Sequence, residues 1–156
     1  MSQHDGDRTL PTSLLMFLAH RAAEDRVLQA VADAGFDDLT RAQGRLLAGI
    51  DLPGTRIGVL AERARIAKQT AVALVDRLER LGYVERVRDA HDGRSRLVRL
   101  ARRGLAVLPH ARAAEQAMEQ EWTEHLGATQ AAALREALER LRPLVDPEWA
   151  ATQGGN

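Results

Sequence analysis

Four arginines, Arg86, Arg88, Arg94 and Arg96, share the stretch ERVRDAHDGRSR with Asp89, Asp92 and Gly93. Guanidinium groups at this density suit phosphate, which they meet through paired, charge-assisted hydrogen bonds. An exposed tip carrying Arg94 can enter a minor groove, whose negative potential favours a guanidinium, while Arg86, Arg88 and Arg96 reach the phosphates on either side. Carboxylates beside phosphate are repelled, so Asp89 and Asp92 are expected to shape the segment instead. Asp89 nucleates a turn, Asp92 accepts hydrogen bonds from loop amides and holds Arg94 by its planar fork, and Gly93 supplies a positive φ. The same pattern is also that of a solvated hairpin in a protein-binding module.

A second group lies upstream. KQTA, Lys68 to Ala71, offers one cation, one amide and one hydroxyl at the start of a helical pattern, where backbone amides already favour anions. Lys68, Gln69 and Thr70 there suit base edges and phosphates, or else form an ordinary solvated first turn.

The elements that must position these groups follow from periodicity. Apolar spacing predicts a helix over 11–34, capped by Thr9 or Thr12 and stopped at Gly35, with Leu14, Phe17, Leu18, Ala22, Leu28 and Val31 as an irregular stripe. A shorter helix follows Asp38 over 41–49, and DLPGT is a turn. Ile57 to Ala64 and Gln69 to Leu81 form two helices across the brief break RIAK, a helix-turn-helix, with Gly82 as a left-handed stop. Tyr83 to Arg88 and Arg96 to Leu100 then read as a hairpin around the loop 89–95, so that the whole is a winged helix. Helix resumes after Ala101 and runs to Leu126, with a kink expected at Pro109. Thr129 is expected to cap a last helix that Pro143 and Pro147 disrupt. The fold class is therefore mainly α with a small β-hairpin wing.

Totals narrow the field. The 156 residues carry no formal net charge, but 56–103 hold thirteen Lys and Arg against six Asp and Glu, a net +7, leaving nine against sixteen, a net −7, elsewhere. A basic centre between acidic ends suits a polyanionic partner. With no cysteine, disulfides and thiol sensing are excluded. The longest apolar run, LLMFLA, is too short to span a bilayer, and MSQHDGDRT does not resemble a secretory signal. A cytoplasmic protein without membrane partners is expected, with a frayed tail ATQGGN. Glycine-rich phosphate loops and nucleophile elbows are absent, and His91 beside Asp92 sits on an exposed tip, so no enzyme and no cofactor are expected.

Residues 56–104 resemble the DNA-binding lobe of the MarR family of bacterial transcriptional regulators. The similarity rests on LAERARIAKQTA, VDRLERLGYVER, the wing pattern D-x-x-D-x-R at Asp89, Asp92 and Arg94, and the closing L-x-x-x-G at Leu100 and Gly104. It implies a homodimer on double-stranded DNA with an inverted-repeat operator, most often acting as a repressor. It implies an N-terminal dimerisation helix over 1–37, a winged helix-turn-helix lobe over 38–104 and C-terminal dimerisation helices over 105–156. It further implies that Lys68, Gln69 and Thr70 read the major groove, that Arg77 contacts a phosphate and that Arg94 enters the minor groove. Release by a small aromatic or anionic effector belongs to the same implication. The alternative from another class is a winged-helix adaptor that binds an acidic protein without specific DNA recognition.

The chain departs from the family's usual pattern at three positions. Ala67 stands where a capping Ser is common, Ala90 replaces a frequent wing proline, and Ala73 occupies a site often polar or basic. Phe17, His20, Phe36 and Arg45 are candidates to line an effector crevice, with core and interface packing as the alternative. A metal site is not expected: Glu121 and His125 share a helix face, but His110 is about 22 Å away along the same helix.

Overall fold

The computed structural model describes residues 9–146; the segment 1–8, Pro147 and the tail expected to fray lie outside the described residues. Six helices and three short strands follow in the order α1 (Thr12–Asp33), α2 (Arg41–Ala48), β1 (Thr55–Arg56), α3 (Ile57–Ala64), α4 (Lys68–Arg80), β2 (Val84–Arg88), β3 (Arg96–Leu100), α5 (Arg102–Leu126) and α6 (Ala128–Val145). The chain forms two compact units, one through Glu115 and one from Gln116 onward. No described helix is long and apolar enough to cross a membrane.

Helix ends carry the clearest local chemistry. At Gly35, with φ +98°, the Phe36 amide returns to the Val31 carbonyl at 3.1 Å and the Gly35 amide to Ala32 at 2.9 Å. Gly82, with φ +81°, ends α4 in the same way, Tyr83 donating to Leu78 and Gly82 to Glu79. Helix α2 starts on a reciprocal cap that the sequence reading did not identify: the Gln43 amide donates to Thr40 Oγ1 at 3.3 Å, and the Thr40 amide donates to Gln43 Oε1 at 2.8 Å.

Three expectations about ends are corrected. Neither Thr9 nor Thr12 caps α1; Pro11 does, with no side-chain bond, and Thr12 is already helical. Thr129 does not cap α6, because Gly127 at φ +81° turns the chain within one residue and the helix starts at Ala128. Pro143 does not disrupt that helix, which continues to Val145, since only one bond is lost near its end. Helix α5 likewise runs on through Pro109; Leu105, whose carbonyl loses that bond, is exposed and open to solvent.

The hairpin is joined by a third strand that was not anticipated. Thr55 and Arg56 pair with Val98 and Leu97, so the sheet order is β1-β3-β2. Two residues are too few to show an alternating pattern, and only the pairing creates the strand. The core beneath is built from Leu46 of α2, Leu60 of α3, Val75 and Leu78 of α4, and Tyr83, Val84 and Val98 of the sheet region, all fully buried. Of the stripe expected on α1, only Val31 is buried; Leu14, Phe17 and Leu18 are exposed.

Helix α5 begins where the chain crosses itself. The Ala101 amide donates to the Tyr83 carbonyl at 2.9 Å and the Arg103 amide to the Gly82 carbonyl at 3.3 Å. A Cβ at Gly104 would fall well inside contact distance of that Tyr83 carbonyl oxygen and 3.1 Å from Leu100 Cδ2. The closing glycine is therefore required by approach, not by φ. Around it, the Tyr83 hydroxyl donates to Asp38, Arg103 bonds both Asp38 oxygens at 2.9 and 3.2 Å and the Leu81 carbonyl at 2.8 Å, and the Arg103 guanidinium lies 4.3 Å from the centre of the Tyr83 ring. Burial, and then the Asp38 carboxylate, push the Tyr83 phenol well above its usual range.

Gly104→Ala is expected to cost about 1–3 kcal/mol as measured by urea unfolding, because backbone must move to admit the methyl. Arg103, with Tyr83, holds the Asp38 carboxyl below the usual carboxylate range. That contribution is complete above the ordinary aspartate value near 3.8 and disappears as pH falls through the depressed folded value. Asp38→Asn should thus be less stable than the wild type at neutral pH, with the gap in urea midpoint closing in acid.

Candidate nucleic-acid interface

Helix α3 ends at Arg65, with φ 55° and ψ 43°, the only non-glycine residue at positive φ among those described. This sharp turn, closed by the Ile66 amide on the Ala61 carbonyl at 3.0 Å, lets α4 start three residues later, at Lys68, and pack against α3. Ala71, fully buried in the first turn of α4, seats that helix against the core, while Lys68, Gln69 and Thr70 are exposed just before it. Ala67 precedes them as an N-cap without a side-chain bond. The first amides of α4 therefore have no side-chain oxygen across them, and together with Lys68 they form a cationic end suited to an anion. One turn and more further on, Ala73 and Arg77 are also exposed.

The wing rises from β2 and β3. Its register sets Glu85 opposite Arg99, bonded at 2.6 Å, and Arg88 opposite Arg96. The second pair is a like-charge pair directly across the ladder, an arrangement that opposes itself until a polyanion lies over it. Lys68, Arg77, Arg88, Arg94 and Arg96 are all exposed, and no described carboxylate is bonded to any of them.

Asp89 and Asp92 shape the loop by short local bonds. Asp89 Oδ1 accepts from the His91 amide at 2.9 Å; Asp92 Oδ1 accepts from the Arg94 amide at 3.2 Å and Oδ2 from the Ser95 hydroxyl at 2.7 Å. The His91 amide and then Arg56 hold the Asp89 carboxyl below its usual range, and Ser95 and the Arg94 amide do the same for Asp92. Two expectations fail here. Asp92 holds the Arg94 amide but not its guanidinium; the guanidinium beside it is that of Arg56, 3.7 Å away. Gly93 does not take a positive φ, because side-chain acceptors rather than a left-handed glycine turn the chain at this tip.

Arg86 stands apart from the other arginines. Its guanidinium bonds Asp76 at 2.5 Å and also Glu79, both on α4, and its side chain is 21 % exposed. It ties β2 to α4 rather than standing open to a phosphate. The i, i+3 spacing of Asp76 and Glu79, which puts both carboxylates on one face of α4, was the signal available in the sequence.

The residues proposed for an effector crevice are not brought together. Phe17 is exposed on α1. His20 and Arg45 meet instead at Glu24, 3.3 Å and 2.5 Å from its Oε1, and Arg45 with Glu24 clamps α2 to α1. Phe36 packs against Tyr83 and His110, with ring centres 6.3 and 6.0 Å apart.

Residues 37–95 match the model of the MarR family. The fold is shared with the wild-type MarR of E. coli in its apo form, with 24 % identity, 86 % of this chain and 98 % of that chain covered, and a TM-score of 0.69. It is shared too with a transcriptional regulator from Thermotoga maritima, with 23 % identity, 90 % and 97 % covered, and a TM-score of 0.60. A further structure, described as the multiple antibiotic resistance repressor MarR, aligns at 23 % identity over 86 % of this chain and 97 % of that one with a TM-score of 0.68. No curated protein sequence matches the chain.

The left-handed Arg65 gives a test of the turn itself. Arg65→Gly removes the Cβ clash of that conformation and should raise stability by about 1 kcal/mol in urea unfolding.

Proposed function

Since the winged lobe of this chain is a lobe of the MarR family, we propose that the protein is a sequence-specific DNA-binding transcriptional regulator that acts as a homodimer on an inverted-repeat operator. The observation that carries this reading is the set of exposed cations, Lys68, Arg77, Arg88, Arg94 and Arg96, on the recognition helix and the wing without bonded carboxylates among the described residues. Lys68, Gln69 and Thr70 read base edges from the first turn of α4, and Arg94 enters the minor groove beside it. Arg88 and Arg96 relieve their mutual repulsion on phosphate.

The dimer reading is supported by apolar side chains left uncovered in the single chain. Leu14, Leu15, Phe17 and Leu18 on α1, and Leu134, Leu138 and Leu141 on α6, are each more than a third exposed. Runs of this kind on terminal helices call for a partner surface. Repression is the direction suggested by the neighbour described as a repressor, and the same reading has the protein act in the cytoplasm, beside the chromosome. Release by a small aromatic or anionic effector remains part of the proposal, without Phe17, His20, Phe36 and Arg45 as a common site.

Selection from a random duplex pool with the purified protein, followed by binding across a salt series, tests the reading. An enriched inverted repeat with half-sites about one helical turn apart and a steep salt dependence is expected. Arg94→Ala should weaken that binding most on operators with A·T-rich flanks. Weak, uniform binding that vanishes at physiological salt would instead leave the winged helix as an adaptor for an acidic protein.

A further inference from the structure

Arg56 lies 33 residues before the wing in sequence, yet β1 delivers it there. Its Nη2 is 3.0 Å from Asp89 Oδ2 and 3.7 Å from Asp92 Oδ2. The Asp89 side chain is 9 % exposed and that of Arg56 is 52 % exposed, so a nearly buried carboxylate is paired with a guanidinium whose other edge faces solvent. A buried carboxylate without a partner is strongly disfavoured, so the wing loop depends on this cation. Each of the two aspartates spends its other oxygen on a loop amide, His91 for Asp89 and Arg94 for Asp92. Arg56 therefore completes the set of bonds that fixes the loop carrying Arg94. It also neutralises the two carboxylates that would otherwise stand closest to an approaching phosphate.

We propose that Arg56 is a positioning residue of the DNA interface, bracing the wing through Asp89 and Asp92 so that Arg94 is presented to the groove without a countervailing negative charge. This rests on the DNA-binding reading above. The strand that makes it possible, Thr55–Arg56 against Val98 and Leu97, is held in place by Gly54, where a Cβ would come within 2.9 Å of Leu97 Cβ. The brace is thus anchored at both ends, by sheet pairing at its root and by two carboxylates at its head.

The experiment compares Arg56→Met, Arg56→Lys, Arg94→Ala and the double variant Arg56→Met with Arg94→Ala, on the full chain and on the duplex selected by the wild type. In the free protein, amide exchange at His91, Arg94 and Ser95 is expected to rise by about tenfold in Arg56→Met and by less in Arg56→Lys, with exchange in α4 unchanged. Operator binding should fall by about tenfold in Arg56→Met with the salt slope preserved, and the double variant should bind no worse than Arg94→Ala alone. Losses that multiply in the double variant, or a salt slope reduced by about 0.9, would make Arg56 a direct phosphate contact and overturn the proposal. Unchanged wing exchange in Arg56→Met would overturn it as well. If the wild type selects no duplex, the DNA-binding reading falls by that result alone, and the exchange measurement still decides whether Arg56 braces the loop.

Discussion

The close approach of the first turn of α5 to the carbonyl of Tyr83 is the constraint on which the lobe depends. No side chain fits between them, so Gly104 must be glycine, and Ala101 and Arg103 donate their amides across the gap. Tyr83 is also the residue that closes the end of α4 and leads into β2. One fully buried residue thereby sets α4, the wing and α5 against each other. Asp38, from the connection between α1 and α2, joins the same point through the Tyr83 hydroxyl and the Arg103 guanidinium. A displacement of any of these segments has to break charge-assisted bonds around a buried ring.

The basic centre of the chain divides into two populations with different work. Arg86, Arg99, Arg103 and Arg56 are held by carboxylates and act as struts between elements. Lys68, Arg77, Arg88, Arg94 and Arg96 are exposed and have no bonded carboxylate among the described residues. The first group costs little in repulsion because each cation is neutralised where it sits. The second leaves a field that only an external anion can satisfy, concentrated on one helix and one hairpin. A net charge near zero for the whole chain is compatible with both, because the compensating acids lie in other segments.

Much of this was legible from residue types at short range. The helix-turn-helix, the hairpin and the stops at Gly35 and Gly82 follow from local periodicity and from the one residue that tolerates left-handed backbone. So did the aspartates' acceptance of loop amides, since an Asx turn involves only two or three residues. The failures share a cause. Gly93 was expected to turn the wing and Asp92 to hold the Arg94 guanidinium, but the turn was already made by side-chain acceptors and the guanidinium came from β1. Arg86 had the composition of a phosphate contact and the environment of a strut.

The sequence by itself determined the order of the helices, the glycine stops at Gly35 and Gly82, which segment is basic, and the pairing of the wing strands, because these depend on neighbours within a few residues or on a pattern two or four residues deep. The tertiary structure alone decided which arginines are spent on carboxylates, that Thr55 and Arg56 form a strand, why Gly104 must lack a side chain, and that Phe17, Phe36 and the pair His20 and Arg45 on Glu24 do not share one site. Each of those outcomes turns on contact between residues far apart in the chain, from the 33 positions separating Arg56 and Asp89 to the 65 separating Asp38 and Arg103. Residue type and spacing carry no distance across such gaps; only packing around Tyr83 and the three-stranded sheet supplies it.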